Sequence, residues 1–139
     1  MMETILNYNL LPEEAALWWI GQAGYFIRVN GITLVIDPYL SDSAGESSPV
    51  FARKYPPPVK AEDLRADIYI VTHDHLDHLD PQTITNYSYK ESTWFVAPRL
   101  AAKKLMKLGI SENRIVVLNA AETWVTRDVE ITGIFALPT

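Results

Sequence analysis

Cysteine is absent from the 139 residues of this chain, and only 3 histidines are present. Without a thiol, the chain forms no disulfide, no thiolate–metal site and no cysteine nucleophile. The lack of cysteine fits a reducing compartment, so we expect a cytoplasmic protein. Apolar runs stay below the roughly 18 residues that a membrane-spanning helix needs. The opening segment 1–9 also lacks the basic and apolar regions of a secretory signal.

Positive charge is scarce as well. The chain has 12 Lys and Arg residues against 17 Asp and Glu residues, which gives a net charge of −5. Binding to nucleic acid needs a basic face, so we expect no nucleic-acid partner, and we expect no membrane partner either. Hydrophobic residues make up 48% and charged residues 21% of the chain, as in an average globular protein. The length allows one domain at most.

Residues 16–37 predict a three-stranded antiparallel meander. Apolar segments at 16–20, 25–29 and 32–36 are typical of strands. Asn30-Gly31 stands between the last two segments, and this pair favours a tight hairpin because both turn residues tolerate a positive φ.

Further strands and helices are predicted downstream of the meander. We expect strands at 68–71, 94–97 and 115–118, helices at about 81–90 and from Pro98 to Gly109, and a final hairpin of 123–126 and 129–137 that turns at Arg127-Asp128. The intervening segment 38–60 is polar and contains Pro56-Pro57-Pro58, so we predict that it is an irregular and poorly ordered loop. We interpret this loop as the rim of an active site, although a solvated connector is the alternative.

All three histidines fall within one short segment that follows the strand predicted at 68–71. In extended chain, side chains at i, i+2 and i+4 point the same way, so His73, His75 and Asp77 can face one point. His78 comes next, where the chain bends, and can reach a second point nearby. Two imidazoles for one ion, and a carboxylate with an imidazole for another, make a sensible dinuclear site.

Nitrogen and oxygen ligands suit zinc, manganese or iron. A metal ion bound there would lower the pKa of a water molecule and make it a nucleophile. The alternative is that these are surface histidines in a polar turn. That alternative is disfavoured because three imidazoles and three carboxylates, from Asp74, Asp77 and Asp80, crowd residues 72–80. Asp74 points away from the His73 side and is expected to be an outer partner or a turn residue, whereas Asp80 precedes Pro81 as a helix N-cap.

The segment His73-Asp74-His75-Leu76-Asp77-His78, preceded by Thr72, resembles the signature of the metallo-β-lactamase superfamily. Asp37, at the end of a strand, resembles the first motif of that superfamily, a structural aspartate beside the metal site. The segment Trp18-Trp19-Ile20-Gly21-Gln22-Ala23-Gly24 is similar to the opening of the L-ascorbate-6-phosphate lactonase-like branch. The N-acyl-phosphatidylethanolamine phospholipase D branch has similar openings. The resemblance covers about residues 16–137.

The resemblance implies an α/β (α+β) fold of the four-layer αββα sandwich type and metal-dependent hydrolysis with manganese or zinc. It implies that His73 and His75 bind a first metal ion, and that Asp77 and His78 bind a second. Asp77 would also orient the attacking water and so be the catalytic residue. Asp37 and Thr72, together with Asp74, would be structural or outer residues behind the ligands.

The chain departs from the family pattern because no histidine follows His78. Family members supply further ligands downstream, so we expect residues 1–139 to be the N-terminal half of such a domain. A sheet without its facing layer exposes an apolar surface, which favours a homo-oligomer. With two ligands for each metal ion, we expect weak metal binding and no activity from this chain alone.

Three functions follow in order of preference. The first is a lactonase that acts on a small-molecule substrate such as a phosphorylated sugar lactone, whose phosphate Arg53 or Lys54 could hold. The second is a metallo-phosphodiesterase of the same superfamily. The third is a half-domain without catalysis that acts only in interactions.

Overall fold

A mixed six-stranded sheet forms the centre of the computed structural model, which describes residues 1–126 and 128–136. Its strands lie side by side in chain order: β1 Ala15–Gly21, β2 Gly24–Val29, β3 Ile32–Ile36, β4 Ile68–Ile70, β5 Trp94–Ala97 and β6 Ile115–Val117. The first three strands are antiparallel, and β3 to β6 are parallel. This arrangement confirms the α/β fold class.

The antiparallel meander of residues 16–37 is confirmed. Val29 pairs with Ile32 across the β2–β3 turn, where Asn30 and Gly31 have φ values of 50° and 76°. Both residues therefore adopt the left-handed conformation that a two-residue hairpin requires.

The parallel half of the sheet brings the ends of β3 and β4 together. Ile36 pairs with Ile70, and the backbone N–H of Asp37 donates to the carbonyl of Ile70 over 3.0 Å. Residues that follow these two strands therefore meet at one edge of the sheet, although more than thirty residues separate them in the chain.

Four α-helices are present among the described residues: α1 Met2–Asn7, α2 Ser43–Ser47, α3 Pro81–Asn86 and α4 Arg99–Lys107. The helix predicted at 81–90 ends at Asn86, because Tyr87 turns to an extended conformation with a ψ of 124°. Helix α1 was not predicted; it buries Met2 and Ile5. The longest of these helices has nine residues, so none that the structure describes is long and apolar enough to cross a membrane.

The segment 38–60, predicted to be irregular, contains α2 and a 3₁₀ turn at Pro49–Phe51. This corrects the prediction. The cause is long-range: the backbone N–H of Leu40 donates to Thr83 in α3, and the hydroxyl of Ser43 donates to Asp80, the residue that caps that helix. How mobile the segment is stays a prediction.

Helices cover one face of the sheet and a hairpin lies on the other. The helical face holds the larger core, in which Phe26, Tyr69 and Phe95 are fully buried. On the opposite face, β7 Thr123–Val125 and β8 Glu130–Thr132 form a two-stranded antiparallel hairpin. Trp124 and Ile131 of this hairpin pack on Leu34, Ile68, Val96 and Leu118.

The final hairpin differs from its prediction in length. The strand expected at 129–137 is β8, which ends at Thr132, and residues 133–136 are not extended into a strand. The turn predicted at Arg127, and Leu137 at the far end of that strand, lie outside the described residues.

The hairpin leaves part of the second sheet face open. Leu17 and Trp19 of β1 are 62% and 64% exposed, and they pair with Ile27 and Tyr25 of β2. These four side chains form an apolar strip beside the hairpin.

The core contains one buried hydroxyl group without a partner among the described residues. Tyr69 is fully buried, and its hydroxyl accepts or donates no hydrogen bond there. Burial raises its pKa well above the ordinary tyrosine value, so the group stays neutral. Neighbouring Tyr87 differs, because its hydroxyl bonds the backbone of Ala66 and the hydroxyl of Thr93.

We therefore expect Tyr69→Phe to leave the free energy of unfolding unchanged or to raise it by up to about 1 kcal/mol, since it removes an unpaired polar group. Tyr87→Phe is the matched control and should lower it by about 1–3 kcal/mol, because buried partners lose their bonds. Urea unfolding of the two variants is the measurement. Equal destabilisation by both would contradict the prediction.

Candidate metal centre

The candidate site lies where β3 and β4 end. The chain leaves β4 at Ile70, passes Val71 and Thr72, and enters the histidine segment. Asp37 directly follows β3 and has a φ of 43°, so its backbone is held in the left-handed region. This buried aspartate faces the start of the histidine segment from the neighbouring strand.

The three imidazole rings lie against one another. Ring centroids are 4.6 Å apart for His73 and His75, and 3.8 Å apart for His73 and His78. Ligand atoms of Asp37, His73 and His78 all lie within 4.8 Å of one another. Asp77 stands at the edge of this group, with a carboxylate oxygen 3.7 Å from Nε2 of His78, and is half exposed.

Asp37 is the centre of a hydrogen-bond network. The backbone N–H of Thr72 donates to Oδ1 over 2.8 Å. The hydroxyl of Thr72 and Nδ1 of His78 both bond to Oδ2, the latter over 2.7 Å. Three donors therefore satisfy a carboxylate that is almost completely buried.

The bond to Asp37 determines which nitrogen of His78 is free. A carboxylate only accepts, so Nδ1 of His78 carries the proton and Nε2 presents its lone pair. That nitrogen points to the side on which Asp77 lies. Such carboxylate–imidazole pairs fix ring orientation behind metal sites.

The charge state of His73 also suits a ligand. Partial burial lowers its pKa below the ordinary histidine value, and the neighbouring rings of His78 and His75 lower it further. A lowered pKa keeps the ring unprotonated at neutral pH, and only an unprotonated imidazole binds a metal ion.

Asp74 lies outside this group of side chains. Its carboxylate is 2.7 Å from Nζ of Lys104 in α4, and that lysine also donates to the Asp74 carbonyl over 3.1 Å. The bond with Lys104 is the main reason that the pKa of Asp74 is lowered. The structure thus places Asp74 as an anchor between the histidine segment and α4.

The role of Asp80 is larger than the predicted N-cap. Its side chain accepts the backbone N–H of Gln82, as a cap does, but it is fully buried and also accepts the hydroxyls of Ser41, Ser43 and Thr83. These bonds hold the segment after β3 against α3. A serine pair in a loop gives no sequence signal for a partner some forty residues away.

A cavity of about 340 Å³ lies next to Asp77. Tyr39, Leu76 and Phe51 line it together with Gln22, at the β1–β2 turn. Gln22 and Phe51 also border a larger groove of about 810 Å³, which continues past Trp19, Arg53 and Lys54.

Arg53 already has protein partners. Its guanidinium donates to the carbonyls of Tyr39 and Tyr55 over 2.7 and 3.0 Å and lies over the Tyr39 ring. Two of its nitrogens are therefore occupied in shaping the segment, whereas Lys54 is exposed at the groove.

The donor set fits a divalent metal ion. It consists of imidazole nitrogens and carboxylate oxygens, and in its tightest group the carboxylate of Asp37 is buried whereas His73 and His78 are partly exposed. These ligand types suit zinc, manganese and iron alike.

The beta-lactamase superfamily domain matches residues 16–139 of the chain. The match covers most of the chain, so the chain belongs to this superfamily, as the histidine motif predicted. The observed architecture, a mixed sheet with helices on one face and a strand hairpin on the other, agrees with this membership.

Curated relatives are similar to most of this chain. The N-acyl-phosphatidylethanolamine-hydrolyzing phospholipase D 1 of Caenorhabditis elegans is 39% identical over 76% of this chain and 31% of its own length. A UPF0173 metal-dependent hydrolase of Hyperthermus butylicus is 31% identical over 73% of this chain and 40% of its own. A protein described as "Probable L-ascorbate-6-phosphate lactonase" from Shigella dysenteriae serotype 1 is 20% identical over 96% of this chain and 44% of its own.

One solved structure is similar over nearly the whole chain. The diiron beta-hydroxylase CmlA of Streptomyces venezuelae superposes with a TM-score of 0.63 at 26% identity, over 93% of this chain and 25% of that protein. The chain thus spans less than half the length of each of these proteins.

Asp80→Asn should lower the free energy of unfolding by about 1–3 kcal/mol, because buried hydroxyl donors lose an acceptor. Asp63→Asn is the control: Asp63 is exposed, and its substitution should change stability by no more than about 0.5 kcal/mol. Urea denaturation compares the two. An Asp80 variant as stable as the control would show that the network does not stabilise the fold.

Lys104→Met should raise the pKa of Asp74 toward its ordinary value, because the carboxylate loses its charged partner. The Asp74–Lys104 pair stabilises the folded chain fully at pH values above the ordinary pKa of aspartate. This stabilisation disappears as the pH falls through the lowered pKa of Asp74 in the folded chain. A carboxyl NMR titration of Asp74 with and without the substitution tests this. An unshifted Asp74 titration would contradict the assignment of Lys104 as the cause.

Proposed function

We propose that this chain carries part of the catalytic site of a metal-dependent hydrolase. The observation on which the proposal depends is the cluster of three imidazoles, two of which, His73 and His78, lie close to the buried carboxylate of Asp37. Sequence similarity to a metal-dependent hydrolase of Hyperthermus butylicus supports the same class of enzyme.

We assign the ligand roles as the histidine motif predicts. His73 and His75 hold one divalent ion, zinc or manganese, and Asp77 and His78 hold a second. The 4.6 Å separation of the His73 and His75 rings and the 3.7 Å approach of Asp77 to Nε2 of His78 are compatible with this grouping. The shortest ring separation, 3.8 Å, is between His73 and His78, so the two ions would lie close together. Ions bound there supply positive charge that polarises a substrate oxygen and acidifies a water molecule.

Residues of the chain itself accept the proton, bind the substrate and position the imidazole rings. Asp77 is exposed at the cavity, so its carboxylate can accept a proton from a water molecule and orient it toward the substrate. Gln22 and Tyr39 border the same cavity and offer hydrogen bonds to a bound substrate. Asp37 and Thr72 stay behind the rings and hold them in place.

For the bond that is cleaved, we propose a phosphodiester first. The C. elegans relative is a phospholipase D and has the higher identity, 39%. The groove beyond Gln22 combines the exposed aromatic rings of Trp19 and Phe51 with the amine of Lys54, which suits a substrate that is partly apolar and partly anionic.

A lactone is the second candidate. Similarity to the lactonase-like protein of Shigella dysenteriae extends over 96% of this chain, although at 20% identity. The earlier expectation that Arg53 or Lys54 holds a substrate phosphate stays a proposal for Lys54, since Arg53 already binds two carbonyls.

Hydrolysis of bis(p-nitrophenyl) phosphate and of a sugar lactone, each with zinc and with manganese, separates these candidates. The assay uses the longest gene product that contains these residues. We expect Asp77→Asn to lower kcat/KM by about 10²–10⁴-fold, as loss of a proton acceptor does. Asp63→Asn serves as the control, because Asp63 is exposed and lines neither the cavity nor the groove. A rate that does not change with metal chelation would refute the proposal.

We propose further that the 139-residue chain by itself binds metal weakly and is inactive. Catalytic zinc sites have three protein ligands, and the assigned pairs supply two for each ion. Calorimetric titration with zinc and manganese measures this directly. Two ions bound at micromolar affinity or tighter would disprove it.

The apolar strip of Leu17, Trp19, Tyr25 and Ile27 supports the proposal that the chain associates with itself. Large exposed apolar patches mark interaction surfaces. Sedimentation analysis of the chain and of its Trp19→Ser variant tests whether the chain is a homo-oligomer. We expect the parent chain to associate and the substitution to dissociate it. A monomeric parent chain would exclude self-association.

A further inference from the structure

The hydroxyl of Thr72 stands between two groups of the candidate metal centre. Its oxygen bonds Oδ2 of Asp37 on one side and lies 2.9 Å from Nδ1 of His73 on the other. The same Oδ2 atom accepts Nδ1 of His78 over 2.7 Å. One carboxylate oxygen is therefore connected to two of the three imidazoles, to one directly and to the other through a hydroxyl.

The positions of the protons follow from counting donors. A carboxylate oxygen accepts only, so the single hydroxyl proton of Thr72 is directed to Asp37. The hydroxyl oxygen can then only accept from His73, so Nδ1 of His73 must carry the proton. Its Nε2 atom is left with a free lone pair.

We propose that Thr72 is a positioning residue that relays the charge of Asp37 to His73 and fixes that ring in the Nδ1–H form. Asp37 then sets two rings in one tautomer, with both Nε2 atoms presented as metal ligands. Preset tautomers lower the cost of binding because neither ring has to exchange its proton or turn over. The inference rests on the proposed metal centre, yet its first test needs no metal.

The third ring provides an internal comparison. Among the described residues, no side chain bonds the ring nitrogens of His75, and His75 is exposed. Neutral imidazole in water prefers the Nε2–H form. His75 should therefore show that form, in contrast to His73 and His78.

Long-range ¹H–¹⁵N correlation spectra of the metal-free chain test the proposal, and the chain has only 3 histidines to resolve. At a pH where the rings are neutral, we expect Nδ1–H patterns for His73 and His78. In Thr72→Val, which keeps the shape but removes the hydroxyl, His73 should shift toward Nε2–H while His78 keeps its pattern. Thr72→Ser, which restores the hydroxyl, should restore His73.

Zinc titration of the same three proteins gives a second measurement. We expect Thr72→Val to weaken zinc binding by about 10–100-fold, as loss of outer partners does, and Thr72→Ser to bind within a few-fold of the parent chain. Preservation of the His78 pattern in Thr72→Val shows that the fold around Asp37 is intact, so a general loss of structure is distinguishable.

Two results would overturn the relay. One is an Nε2–H pattern for His73 in the parent chain, and the other is a His73 spectrum that Thr72→Val leaves unchanged. Because weak binding is expected of the chain alone, the titration extends to a large excess of zinc. If the tautomers are as expected but zinc in large excess still binds none of the three proteins, the relay stands and the proposed metal centre fails. The two proposals therefore fail in different measurements.

Discussion

The carboxylate of Asp37 is the group on which the candidate site depends. It lies almost completely buried at the end of β3 and accepts three hydrogen bonds, from the backbone and hydroxyl of Thr72 and from His78. Burial of an unpaired charge costs several kcal/mol, so the fold must supply these donors. Two of the donors belong to Thr72, which directly precedes the histidine segment, and the third is His78. The bonds that satisfy Asp37 therefore also hold that segment in place.

The sheet makes this contact possible. Pairing of Ile36 with Ile70 sets the ends of β3 and β4 side by side, and the bond from Asp37 N–H to the Ile70 carbonyl extends the pairing one residue further. Strands paired in parallel release their carboxyl ends at the same edge, where α/β proteins usually place their functional groups. The left-handed backbone of Asp37 then turns its side chain toward Thr72.

A second buried carboxylate, that of Asp80, holds the wall of the cavity in place. Asp80 accepts hydrogen bonds from the hydroxyl groups of Ser41 just before α2, Ser43 at the start of α2 and Thr83 in α3. Through these bonds, the segment that lines the cavity next to Asp77 is attached to the helix that follows the histidines. The ligand segment and the wall of the cavity thus share a support, which favours constant geometry between them.

Sequence patterns were sufficient for features with a local cause. Asn30-Gly31 specifies its hairpin through two positive φ values. The extended chain expected through His73, His75 and Asp77 is not what the structure has: the backbone N–H groups of His78 and Leu79 both donate to the carbonyl of His75, so the segment turns there. The prediction that the helix continues beyond Asn86 was wrong. The backbone of Tyr87 is extended there, and its hydroxyl bonds the carbonyl of Ala66 from a distant part of the chain as well as the hydroxyl of nearby Thr93. Local propensity could not reveal those partners.

The sequence by itself determined the chemistry of the site: which residues can act as ligands, their crowding into one segment, and the superfamily to which the chain belongs. Only the tertiary structure decided that Asp37 lies behind His78, that Thr72 joins Asp37 to His73, that Asp74 pairs with Lys104, and that Asp80 organises the cavity wall. The reason is physical. Apart from the contact between the neighbours Thr72 and His73, these contacts join groups on different parts of the fold. Such a hydrogen bond forms only when sheet pairing and helix packing bring its donor and acceptor to about 3 Å.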